Sequence, residues 1–109
     1  MLEALFGNKT KEQVLLFLYI YQEGYAKQIQ RILGLPLRSV QLQAKNLEQN
    51  GILTAKKQDR AIVYQLNPRH PFYKELTALL EKLLNARPEK IRQEKYTPRL
   101  RPRRLGKPL

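Results

Sequence analysis

The sequence predicts a small, mainly α domain carrying one β-hairpin, ordered helix, helix, helix, hairpin, helix, with a basic tail after it. Three observations predict this. Apolar residues recur at three- and four-residue spacing in four separate segments. Two short runs rich in β-branched and aromatic residues lie close together between the third and fourth of them. Beyond Ala86 the chain changes character, gathering arginine and proline with few large apolar side chains.

The first long helix is expected over residues 10–22. Thr10-Lys11-Glu12-Gln13 fits a capping box, and Gly24 suits the end of the helix. Val14, Phe17, Leu18 and Tyr21 form one apolar stripe, and Leu15, Leu16, Tyr19 and Ile20 make most of the remaining surface apolar too. A helix apolar nearly all round buries more than one face, and in so short a chain a second copy is expected to cover the extra face. A second helix is expected over 26–33, with Ile29, Ile32 and Leu33 inward and Gly34 ending it. Leu35-Pro36 then opens a third helix, which runs to about Asn50 and stops at Gly51. Two helices joined by a short turn containing glycine are the signature of a helix-turn-helix.

Residues 52–56 read as a strand. Residues 61–66 read as another, with Ile62, Tyr64 and Leu66 on one face, and Lys57-Gln58-Asp59-Arg60 as the hairpin tip between them. Pro68 and Pro71 bracket a break before a last helix over 72–85, whose stripe is Phe72, Leu76, Leu79, Leu80 and Leu83. A hairpin directly after a helix-turn-helix makes a wing, so the fold expected is a winged helix-turn-helix over residues 1–86. Residues 87–109 form the tail, read as mobile or partly helical, because it holds too little apolar surface to offset the entropy of ordering.

These stretches resemble the winged helix-turn-helix regulators of the ArsR/MarR type, the ArsR-like group above all. The resemblance rests on Leu5-Phe6-Gly7, on the run from Ile29 to Leu35 and on the closing Tyr64-Gln65-Leu66-Asn67-Pro68. Its most specific part is the run from Val40 to Leu53, which joins a recognition-type helix to a glycine stop and a first wing strand. The resemblance implies a homodimer, with the third helix in the major groove of DNA and the hairpin beside the minor groove. Metal-sensing members of such families bind through Cys and His, whereas this chain has no cysteine and one histidine. The basic tail is not part of the family pattern.

Charge agrees with a polyanionic partner. The chain carries 21 Lys and Arg against 9 Asp and Glu, a net +12. On the third helix, Val40, Ala44 and Leu47 cluster on one side at 100° per residue. Opposite them lie Arg38, Leu42, Lys45, Asn46 and Gln49, flanked by Ser39 and Gln41. Arg presents two donors to a guanine edge, Asn or Gln does the same on adenine, and Leu42 suits a thymine methyl. Arg38, Ser39, Gln41, Leu42, Lys45 and Asn46 are therefore the candidate base readers. An ordinary solvated helix face is the alternative, and for Ser39 a capping role is as good a reading. Lys56, Lys57 and Arg60 on the wing are candidates for phosphates or minor-groove entry, with protection of the strand edge as the alternative. Lys27 and Arg31 on the second helix are candidate phosphate clamps. In the tail, Arg99, Arg101, Arg103 and Arg104 suit a phosphate-tracking arm or a solubilising tail equally well. Tyr19, Tyr21, Tyr25 and Tyr64 fit core or dimer packing better than base stacking.

Other classes find little support. The acids before the tail are scattered, and there is no Gly-rich phosphate loop, nucleophile elbow or metal motif, so no enzyme and no cofactor is expected. His70 before Pro71 reads as a surface residue rather than a ligand. The apolar run from Val14 to Tyr21 is too short to cross a bilayer, and the start of the chain does not read as a secretory signal, so a cytoplasmic protein is expected. Double-stranded DNA and a second copy, joined through the first and last helices, are the expected partners. Two readings stay beside this one: a non-specific nucleic-acid binder led by the tail, and a winged helix used for protein assembly.

Overall fold

The computed structural model describes residues 3–86, which fold in the order α1 (Glu3–Phe6), α2 (Lys9–Tyr21), β1 (Gly24–Tyr25), α3 (Ala26–Leu33), α4 (Leu37–Gln49), β2 (Leu53–Gln58), β3 (Ala61–Leu66) and α5 (Tyr73–Ala86). The expected order of helices and hairpin is present, with α1 and β1 added to it. This is a winged helix-turn-helix architecture.

The core is built round α2. Val14, Leu16 and Phe17 are fully buried, and Leu15, Leu18 and Ile20 nearly so. Each such side chain contributes about 1.5–3 kcal/mol on burial. The expectation that a second copy covers the extra face of this helix is corrected, because α1, α3, α4, α5 and β3 of the same chain all contact α2. The other elements pack round it and bury every side chain from Val14 to Leu18. Its amino end departs from expectation too. Asn8 is the N-cap, its side-chain oxygen accepting the Lys11 N–H at 2.6 Å, while Thr10 lies inside the helix and Gln13 is buried, so the Thr10 capping box is not the cap. Asn8 caps the helix two residues earlier than Thr10 would, with an equally good capping side chain. At the carboxyl end Gln22 takes the left-handed conformation at φ 77°, and its N–H donates to the Leu18 carbonyl. Gly24, expected to end α2, sits instead in β1.

α3 and α4 are joined by Gly34-Leu35-Pro36. Gly34, at φ 71°, reverses the chain and donates its N–H to the Gln30 carbonyl at 2.8 Å. Pro36, with its extended ψ, is the N-cap of α4. Val40, Ala44 and Leu47 are the residues of α4 that are buried, as the angular reading expects. At the far end Gly51, at φ 79°, lets Ile52 N–H reach the Leu47 carbonyl at 2.9 Å. Asn67 then fastens this corner: its side-chain amide donates to the Gly51 carbonyl and its backbone N–H to Ile52, both at 2.9 Å.

The sheet has the antiparallel order β1-β3-β2. Gly24 faces Tyr64 and Tyr25 faces Val63, which ties the wing to the α2–α3 connection. The first wing strand runs to Gln58 rather than stopping at Lys56, because Lys57 pairs with Ile62 and Gln58 with Ala61. The tip is thus Asp59-Arg60 alone, with Asp59 left-handed at φ 58°. Leu53 and Leu66 face each other at the base and are buried, whereas Ile62 on the same face of β3 is half exposed. In α5, Leu80 and Leu83 are buried and Leu76 and Leu84 lie against the core. Phe72 leaves the expected stripe. It precedes the helix, is 65% exposed, and donates its N–H to His70 Nδ1 while its ring meets the His70 ring at 5.8 Å.

Candidate nucleic-acid interface

The outer face of α4 follows directly from which residues the core claims. Val40 and Ala44 are fully buried and Leu47 is 2% exposed, so the helix cannot rotate without breaking that ridge. Arg38, Gln41, Leu42, Lys45 and Asn46 are then all exposed, and Ser39 is half-buried on the flank. Leu42 stands out at 63% exposure among these polar neighbours. The one acid on the exposed part of α4, Glu48, lies toward the wing, where it acts on Tyr64. Burial, and then the Glu48 charge, push the Tyr64 phenol above its ordinary range.

The first turns of the two paired helices share a feature that spacing alone does not reveal. Neither α3 nor α4 has an acid there, and each has a cation as its second residue, Lys27 and Arg38. A cation at a helix amino end opposes the macrodipole and costs about 0.3–1 kcal/mol. Paired with the helix N–H groups, it makes an anion-seeking end. Arg31 sits in the last turn of α3, where it complements the dipole and has a local structural use.

On the wing Lys56, Lys57 and Arg60 are all exposed. They do not form a single patch. Lys56 and Lys57 are neighbours on one strand, so their side chains leave on opposite faces, Lys57 on the face of Ile62 and Lys56 on that of Val63. Arg60 occupies the tip. Tyr64 and Tyr19 are half-buried, Tyr21 lies against Phe17 with ring centroids 4.4 Å apart, and Tyr25 is 38% exposed. Arg99, Arg101, Arg103 and Arg104 lie outside the described residues. Among the described residues, no group of three or more His, Cys, Asp or Glu is placed to hold a metal ion, and no helix is long and apolar enough to cross a membrane.

No protein-family model and no curated protein sequence matches the chain. Solved structures do resemble it. YusO from Bacillus subtilis aligns with a TM-score of 0.57 at 19% identity, over 79% of this chain and 67% of that one. The adhesin competence repressor AdcR from Streptococcus pyogenes aligns with a TM-score of 0.56 at 21% identity, over 84% of this chain and 72% of its own. The transcriptional regulator Tm0710 from Thermotoga maritima gives 0.56 at 22% identity, over 84% of this chain and 65% of that chain. The chain thus spans about two thirds of the length of these proteins. At such identities the likeness concerns the fold, and the winged-helix arrangement of this chain is one that proteins described as a repressor and a transcriptional regulator also have.

Proposed function

We propose that this protein is a DNA-binding transcriptional regulator of the winged helix-turn-helix kind, ArsR-like in its sequence pattern, that reads a duplex site with α4 and holds the backbone with its wing. The observation that carries the proposal is the exposed α4 face. A leucine 63% exposed between Arg38, Lys45 and Asn46, on a helix whose opposite ridge is locked in the core, gains nothing on a plain surface and suits a base edge. In this reading Arg38, Gln41, Leu42, Lys45 and Asn46 face bases, and Ser39 bonds a phosphate or the helix start. Lys27, Arg31, Lys56, Lys57 and Arg60 neutralise phosphates. The arginines of residues 99–104 add a basic arm. The protein works as a binder rather than a catalyst, and its place is the cytoplasm. That AdcR and Tm0710 are described as a repressor and a regulator supports the same reading.

Two chains are proposed to assemble, and the surfaces left for this lie on α1 and α5 rather than α2. Leu5 of α1 is 66% exposed, and Leu84 and Leu79 of α5 are half-buried. A dimer requires an inverted repeat with half-sites about one helical turn apart. Selection from random duplex DNA tests the function: an enriched two-fold motif is expected, and a pool that returns no motif refutes it. Sedimentation at micromolar concentration tests the dimer, and a clean monomer removes it.

A further inference from the structure

We propose that the cleft between the carboxyl end of α2 and the wing is a binding site for a small organic cation, an ammonium with an apolar body. The cleft, half open to solvent, has a volume of about 760 Å³, within the usual span of small-molecule sites. Ile20, Ala61 and Val63 supply apolar lining. One wall is the Tyr21 ring, which cannot swing freely because the fully buried Phe17 holds it at a centroid separation of 4.4 Å. Tyr25, 38% exposed at the start of α3, supplies a second ring.

The charges select the occupant. In a chain of net +12 this cleft is lined by two acids, Glu23 from the connection after α2 and Asp59 from the wing tip, against one cation, Arg60. The last turn of α2 has no basic residue, so the partial negative charge of the helix end is not offset from within that helix. Two carboxylates and the end of α2 beside two phenol rings are the setting that attracts an ammonium group. Gln28 and Gln58 offer amide oxygens beside them, although Gln28 Oε1 already accepts from the Tyr25 N–H at 3.4 Å.

This site is separate from the α4 face. No residue of α4 lines it, and its wing residues Gln58, Ala61 and Val63 share the strand face opposite Lys57 and Ile62. Its existence therefore does not depend on what α4 binds.

The test is a titration of the ¹⁵N-labelled full chain with benzyltrimethylammonium, followed by amide shifts, with benzoate as an anion of similar shape. Saturable shifts confined to the segments 20–28 and 58–63 are expected, with none of that kind for benzoate. Glu23→Gln with Asp59→Asn should weaken binding about 3- to 10-fold, since each acid is solvent-exposed. Arg60→Gln should tighten it. Both acids are on the surface, so an unchanged amide spectrum of the free variant will certify its fold. No saturation through the millimolar range overturns the proposal, as do shifts elsewhere, equal binding of benzoate, or an unaffected double variant.

Discussion

Gly24→Ala is expected to destabilise the protein through a steric cause that the structure makes specific. The backbone at Gly24 is not left-handed, so alanine is conformationally allowed there. The added Cβ, however, would lie 2.8 Å from Phe17 Cε1, 3.2 Å from Gln28 Oε1 and 3.5 Å from Ile29 Cγ1. Carbon atoms prefer about 3.5–4.0 Å, so the first contact has to open by most of an ångström. Phe17 has little room to give: it is fully buried and stacked on Tyr21. Overpacking of this kind costs about 1–3 kcal/mol. Restricting the unfolded chain returns about 0.4–1 kcal/mol. The net loss is about 1–2 kcal/mol, which for a domain of this size lowers Tm by roughly 5–15 °C. Urea unfolding followed by circular dichroism should show a lower midpoint with an unchanged slope. Gly34→Ala is the control, since nothing lies within 4 Å of its Cβ and its cost comes from φ 71° alone, about 1 kcal/mol. Adding Phe17→Leu should recover part of the loss in the Gly24→Ala chain and only add to it in the Gly34→Ala chain. A neutral or stabilised Gly24→Ala, or simple additivity with Phe17→Leu, refutes the steric argument.

Arg38→Ala should weaken the selected site by about 1–3 kcal/mol and relax preference at one position, while Lys57→Ala should weaken all duplexes alike and reduce the salt slope by about one. Identical effects in competition binding at two salt concentrations would remove the division between reading and phosphate contacts. Deleting residues 87–109 should lower overall affinity and keep the site preference, whereas loss of nearly all binding in the same assay favours the non-specific reading led by the tail. Tyr64 keeps its proton to higher pH in the folded than in the unfolded chain, first through burial and then through Glu48. Its contribution is fully present below about pH 10 and is lost as pH rises through the raised folded value. Tyr64→Phe should therefore flatten the alkaline fall of the urea midpoint, and an unchanged alkaline profile contradicts the assignment.

The sequence by itself determined the order of the main elements and the orientation of α4. Both are local matters. Val40, Ala44 and Leu47 share one side at helical spacing, and that ridge alone decides that Arg38, Leu42, Lys45 and Asn46 point away from the core. Gly34 and Gly51 mark chain reversals that glycine favours over other residues, so the limits of α3 and α4 were legible too. Only the tertiary structure decided what covers α2, because burial on all sides is the same pattern whether the partner is a second chain or the later half of this one. It also decided the use of Gly24, which serves a close approach to Phe17 and not the end of a helix. The cleft beside the wing was illegible for the same reason. Tyr21, Glu23 and Tyr25 are distant in sequence from Asp59 and Arg60, and only the pairing of β1 with β3 brings them together.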